Sequence, residues 1–150
     1  MVSELREKDG RCSKTSFCIV DAQSVKNTDT AEQKGYDGGK KVSGIKRHIG
    51  VDTQGLLHAI HITTANVTDR EGALEAFTIN QTNLVKVKKI LADGGYRGVK
   101  FAVIPKRWVV ERSFALLEKC RRLWKNCERK LNTSLQMVVL AFLTIVLKRL

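Results

Sequence analysis

Two short apolar runs, Phe17-Cys18-Ile19-Val20 and Ile90-Leu91-Ala92, each end in an aspartate, Asp21 and Asp93. An unbroken apolar run of that length reads as a strand buried on both faces, as in sheets covered by helices. Between them, "SGIKRHIGVD" and "LLHAIHITTA" are β-like segments separated by Thr-Gln-Gly, a hairpin signal. "TAEQKGYDGGKK" (30–41) is glycine-rich and reads as a turn excursion. "TDREGALEAF" opens a helix at Thr68 or Asp69, with acidic residues in its first turn. A helical pattern runs from Arg107 to about Arg129. A last helix follows, with Asn132 or Thr133 as its cap and Lys148 and Arg149 at its end. The order β, β, β, α, β, α, α gives an α/β chain with one hairpin and parallel pairing. At 150 residues it reads as one domain, 1–150, with a polar leader over 1–16.

In open α/β sheets, ligand sites collect at the carboxyl ends of strands. If the strands ending in Asp21 and Asp93 are neighbours, their carboxylates reach the same ion. Two such carboxylates repel unless a proton or cation intervenes. Oxygen donors without a His/Cys cluster suit Mg²⁺ or Mn²⁺. A second reading stands beside this one: Asp93 opens the Asp-Gly-Gly-Tyr turn and nothing more.

Glu111 lies in a helical stretch with a narrow charged stripe, Arg107, Glu118 and Arg122, in otherwise apolar surroundings. The first three turns read as buried on most sides. Two uses of the stripe remain open, a solvent-facing Arg107–Glu111 pair at i,i+4 or a face turned to a metal and a phosphate backbone.

Lys and Arg number 27 against 15 Asp and Glu, a net charge of +12. Such an excess marks a polyanion binder, nucleic acid first. Cys12, Cys18, Cys120 and Cys127 form no CxxC pair and read as reduced structural thiols. His48, His58 and His61 do not pair with cysteines at zinc spacing. The longest apolar run, Met137 to Leu147, is too short to span a bilayer, and no targeting feature is visible, so the reading is no membrane and a cytoplasmic protein.

"IVDAQSVK", "GYDGGKKVSGIKRHIGVD", "HITTANVTDREGA", "LADGGYRG" and "PKRWVVERSFALLEKCRRLWKNCER" together resemble the DDE transposases of bacterial insertion sequences, the insertion-sequence-five group most of all. The resemblance runs from about Phe17 to the C-terminus. It implies a ribonuclease-H-like mixed sheet with flanking helices. It also implies two divalent metals, Mg²⁺ or Mn²⁺, cutting and rejoining double-stranded DNA at transposon ends. Motif by motif, it implies Asp21, Asp93 and Glu111 as catalytic residues and metal ligands. In such sites one metal activates water or a 3′-hydroxyl and the other stabilises the leaving oxygen, the pair being roughly 3.5–4 Å apart. The basic residues Lys40, Lys41, Lys46, Arg47, Arg107, Arg112, Arg121 and Arg122 are then the DNA-binding set, giving salt-dependent, mostly sequence-independent affinity. Trp108 and Tyr96 read as packing residues.

The chain departs from the family pattern in two places. Between "DGGY" and "RWVVER" the family has a helix and a fifth strand, on the order of 25 residues with their connections. Here only Gly94 to Pro105 intervene, a link able to stretch roughly 40 Å. Before the first strand the family has a helical end-recognition region, and here there is only "MVSELREKDGRCSKTS". The expectation is a shortened copy, lacking the fifth strand and the helix before it, and impaired. An alternative is a catalytically inactive DNA-binding or regulatory remnant, acting alone, as a homo-oligomer or on full-length transposase.

Overall fold

The structure, a computed structural model, describes residues 1–93 and 107–149. Among the described residues five strands form one mixed sheet: β1 (Phe17–Lys26), β2 (Gly35–Asp37), β3 (Val42–Val51), β4 (Leu57–Thr64) and β5 (Lys89–Leu91). Helices are α1 (Val2–Lys8), α2 (Asp69–Ile79), the short α3 (Gln81–Leu84), α4 (Trp108–Glu118) and α5 (Leu131–Leu147).

The order across the sheet is β2-β3-β1-β5, with β4 sharing the β3 edge that β2 uses. β3 is antiparallel to β1, β2 and β4, while β5 is parallel to β1. The hairpin at Thr53-Gln54-Gly55 is therefore present, closed by Gly55 at a φ of 79°. β2 was not visible in the sequence. Its Gly35 packs so close to Asn66 that any side chain would collide, so a residue type that discourages strands is required there.

The pleat sends alternate β1 residues to opposite faces. Ile19 and Val25 join the main core with Val109, Val110, Phe114 and Leu117 of α4 and Val138 and Phe142 of α5. Val20 packs on the other side with Ala73 of α2. Each fully buried aliphatic or Phe side chain is worth about 1.5–3 kcal/mol, so α4 is held by its apolar face without a side-chain cap.

Helix ends follow local chemistry only where that chemistry is present. Thr68 caps α2 in a full capping box with Glu71. α5 begins at Leu131, with Lys130 and no side-chain bond at its cap, so Asn132 and Thr133 lie inside its first turn rather than ahead of it. The helical pattern from Arg107 to Arg129 is realised only as far as Glu118. Beyond it Asn126 leaves helical geometry to bridge Asn27 and to accept the hydroxyl of Ser134, a tertiary network that local periodicity cannot announce. In the polar leader α1 docks Leu5 against Leu56 and Val146, and Arg6 pairs with buried Asp52. Among the described residues no helix is long and apolar enough to cross a membrane. The expected loss of a fifth strand and its preceding helix, the Asp-Gly-Gly-Tyr turn and Tyr96 all concern 94–106, outside the described residues.

Candidate active site and basic face

The parallel register sets the site. Phe17, Cys18 and Ile19 pair with Lys89, Ile90 and Leu91. Two residues further along each chain stand Asp21 and Asp93, at the same end of the β1–β5 pairing. β1 itself runs on to Lys26, so Asp21 lies mid-strand rather than at the expected strand end, while Asp93 lies just past β5. Glu111 comes from the first turn of α4, which the buried Val109, Val110 and Phe114 anchor to the sheet.

All three carboxylates converge on one side chain, that of Arg107. Its Nη1 is 2.9 Å from Asp93 Oδ2, its Nε 3.3 Å from Glu111 Oε1, and its Nη2 3.9 Å from Asp21 Oδ2. The Arg107–Glu111 pair at i,i+4 is present, and it shares its guanidinium with Asp21 and Asp93. Asp21 is the enclosed member, with a side chain 14% exposed against 47% for Asp93 and 58% for Glu111. Burial pushes the Asp21 carboxyl above the ordinary carboxylate range. The amide of Ala22, Arg107 and Lys40 pull the other way without reversing it, and Asp69 adds to the rise. The Ala22 amide donates to Asp21 Oδ1 over 2.8 Å, fixing that carboxylate's orientation.

Among the described residues no group of three His, Cys, Asp or Glu side chains is arranged to hold a metal ion. The acidic side chains surround a guanidinium instead. Their chemistry nevertheless fits a hard divalent cation: oxygen donors only, from three elements, already gathered about a positive charge.

The basic residues divide sharply. Lys46 and Arg47 are buried, at 5% and 1% exposure. Lys46 Nζ stands 2.8 Å from Asp69 and 3.3 Å from Asp37, and donates to the Val67 carbonyl. Arg47 donates to the Leu123 carbonyl at 2.7 Å and to Gln23 Oε1, and burial lowers its pKa to about 10. Adjacent on β3, they project to opposite faces of the sheet. Both faces are covered, on the Lys46 side by Val67 and Asp69 at the start of α2 and on the Arg47 side by the chain at Leu123. Lys40, Lys41, Arg107, Arg112, Arg121 and Arg122 are exposed. Lys40 Nζ reaches the Ala22 carbonyl beside Asp21, Arg122 pairs with Glu128, and Arg112 lies over the ring of Trp108, 5.4 Å from its centroid. Trp108, expected to pack, is exposed. As the first residue of α4 it precedes the turn from which the buried face starts.

Sequence reasoning missed the supporting groups. Asp37 accepts from Ser24 of β1, the main reason its pKa falls to about 2. Asp69, read only as a cap, anchors Lys46 and lies within 4.0 Å of Lys40. Gln23 Nε2 donates to Glu118 at 2.6 Å, tying the strand of Asp21 to the helix of Glu111. The one available signal was parity: Gln23 lies two residues beyond Asp21 on the same strand face.

A family model described as a transposase DDE domain matches residues 13–103, more than half of the chain. No curated protein and no solved structure matches.

Proposed function

Because the chain belongs to the transposase DDE domain family, we propose that it is a transposase of the insertion-sequence-five group. It performs metal-dependent phosphodiester hydrolysis and strand transfer on double-stranded DNA at transposon ends. The observation that carries this reading is the convergence of Asp21, Asp93 and Glu111, from two parallel strands and a helix, on one cationic centre. The order β4-β3-β1-β5, antiparallel except for the last pair, supports a ribonuclease-H-like sheet.

Asp21, Asp93 and Glu111 are the residues that would hold Mg²⁺ or Mn²⁺, two ions by the family's pattern. Bound there, the ions supply activation of the attacking hydroxyl and charge stabilisation at the leaving oxygen. The chain's own part is positional. The Ala22 amide holds Asp21, the buried face of α4 holds Glu111, and the Gln23–Glu118 bond keeps strand and helix in register. Arg107 neutralises the acidic cluster in the ion-free protein, and must leave it for a cation to enter. Once turned outward it joins Arg112 and Lys40 on the rim to meet phosphates. Lys46 and Arg47 serve the fold rather than the DNA. Such a protein works in the cytoplasm, at the nucleoid.

Impairment is a second reading, favoured by the twelve-residue link Gly94 to Pro105, where the family resemblance implies on the order of 25 residues more. Binding then outlives cleavage, and the chain acts as an inactive DNA-binding partner of itself or of full-length transposase. Nicking of a duplex carrying the element's ends, with Mn²⁺, separates the readings. Cleavage by the parent that disappears in Asp93→Asn supports the enzyme. Cleavage that survives this change sinks the site assignment, and duplex binding without cleavage by the parent supports the remnant.

A further inference from the structure

At the opposite end of the β1–β5 pair from the carboxylates lies a cleft of about 650 Å³. Its cationic lining is Arg6, Arg11, Lys14, Lys86 and Lys88, and among the described residues no carboxylate lines it. Arg6 is committed to Asp52 and to the Cys12 carbonyl, and forms the floor. The other four keep their charge. Arg11 meets the Thr53 hydroxyl and the Gln54 side-chain oxygen, and Lys14 meets the Thr82 carbonyl, all neutral acceptors. Among the described residues none of the four makes an ion pair.

These cations are held in place by the sheet. The amides of Lys88 and Lys89 both donate to the Ser16 carbonyl, so 86–89 is fixed against the start of β1. Four uncompensated charges around one concavity repel one another and focus a positive field, an arrangement that an anion relieves. The cations gathered at the carboxylate end of the sheet differ: Lys46 has Asp37 and Asp69, and Arg107 has three acids.

We propose that this cleft is a second contact for the phosphate backbone of the DNA duplex, separate from the rim of the acidic cluster. Ser16, in its lining, immediately precedes β1 and stands five residues before Asp21, roughly 17 Å at ~3.3 Å per residue. One turn of duplex spans about 34 Å, so the separation is close to half a turn. A duplex lying along β1 with one strand's phosphate at the carboxylates brings the complementary strand's backbone, which crosses the same face on the far side of a groove, to the cleft. The contact rests on the transposase reading for the identity of its polyanion, and it is sequence-independent, since phosphates carry no base information.

The test is anisotropy of a fluorescent 30-base-pair duplex, without metal, over a series of KCl concentrations. It compares the parent chain with Lys86→Gln/Lys88→Gln, Arg11→Gln/Lys14→Gln and Arg112→Gln/Arg121→Gln, each checked for an unchanged melt. Each phosphate contact contributes about 0.9 to the slope of log K against log salt. Either cleft variant should lower that slope by about 1–2 and weaken binding several-fold at ~100 mM salt, equally on unrelated sequences. An unchanged slope in both cleft variants, with loss only in Arg112→Gln/Arg121→Gln, overturns the cleft and leaves the proposed function standing. No duplex binding by the parent overturns both. Binding of inorganic pyrophosphate that the cleft variants abolish, with an unchanged duplex slope, makes the cleft a compact-anion site and also overturns the proposal.

Discussion

Arg107 Nη1 sits 2.9 Å from Asp93 Oδ2, and the same guanidinium reaches Asp21 and Glu111. The three acidic side chains most exposed to mutual repulsion thus share a cation supplied by the chain itself. With Arg107 half exposed, its contacts are solvent-screened and individually worth under about 1 kcal/mol. That is weak enough for a divalent ion to compete.

Arg107→Ala should therefore act in opposite directions with and without metal. The ion-free protein loses about 1 kcal/mol, which is about 2–4 °C in Tm for a chain of this size. The rise in Tm produced by Mn²⁺ should become larger, because the ion no longer displaces a competitor. Thermal melts across a Mn²⁺ series check this. A smaller rise in the variant would mean that Arg107 helps to hold the ion instead.

Asp21→Asn should stabilise the ion-free protein. Burial is the largest influence on the Asp21 carboxyl, and it raises the folded-state pKa above the unfolded value. The carboxyl's contribution is favourable below the unfolded value and turns into a penalty as pH rises through the folded one. The penalty grows with pH, and a neutral amide removes it. The Tm should rise near pH 7 and Mn²⁺ should no longer shift it. A lower Tm would show that Arg107 and Lys40 outweigh burial.

Asp21 and Asp93 stand out in the sequence because a short apolar run and its terminal carboxylate are local facts, whereas Glu111 was singled out only by resemblance, since a helical stripe does not say what it faces. The parallel register that joins the two aspartates is equally a consequence of strands that lack a hairpin connection. Lys46 and Arg47 were misleading for a physical reason. A lysine or arginine in a strand looks like surface until the strand is known to be central and a partner is known to lie inside. Those partners, Asp37, Asp69 and the Leu123 carbonyl, are 9 to 76 residues away. Nothing in the local pattern of β3 points to them.

Lys46 and Lys40, six residues apart, should separate cleanly on substitution. Removing one partner of a buried pair costs about 3–5 kcal/mol. Asp69 is a third exposed, so Lys46→Met should cost about 2–3 kcal/mol in urea unfolding, with part regained on adding Asp69→Asn. Lys40→Met, at an exposed site, should leave unfolding within about 0.5 kcal/mol of the parent while weakening duplex binding. Equal stability losses would refute the division between a structural and a DNA-facing lysine.

His48 predicts a window of acid sensitivity. Its ring is wholly buried on β3, with Nε2 2.9 Å from Thr63 Oγ1, and burial lowers its pKa from 6.5 to about 4. Above pH 6.5 the ring is neutral in both folded and unfolded chains. As pH falls from 6.5 to 4, only the unfolded chain takes up the proton, and stability drops by about 3 kcal/mol. Urea midpoints over that range should fall steadily in the parent and stay nearly flat in His48→Gln. Loss confined below pH 4 would instead point to carboxylates such as Asp52. Its pKa is held down because His58 and the Gln54 and Leu56 amides outweigh its burial.

Gly72 gives a sign reversal on the same contact. It is a mid-helix glycine of α2, and Gly→Ala at such a position ordinarily gains about 1 kcal/mol of helix propensity. Here α2 crosses β3 so closely that a Cβ on Gly72 would overlap the His48 imidazole. That ring is hemmed in by the sheet and bonded to Thr63, so it cannot swing aside as a flexible chain end would. Gly72→Ala should therefore destabilise, by about 1–3 kcal/mol as overpacking does. It should also move the N-terminus of α2, and with it Asp69 and Lys46, against β1. Adding His48→Ala to Gly72→Ala opens the space and should recover the propensity gain. The double variant is then less destabilised than the sum of the two single changes. A cycle of the four proteins by urea denaturation measures that coupling, and strict additivity would mean the helix does not press on the ring.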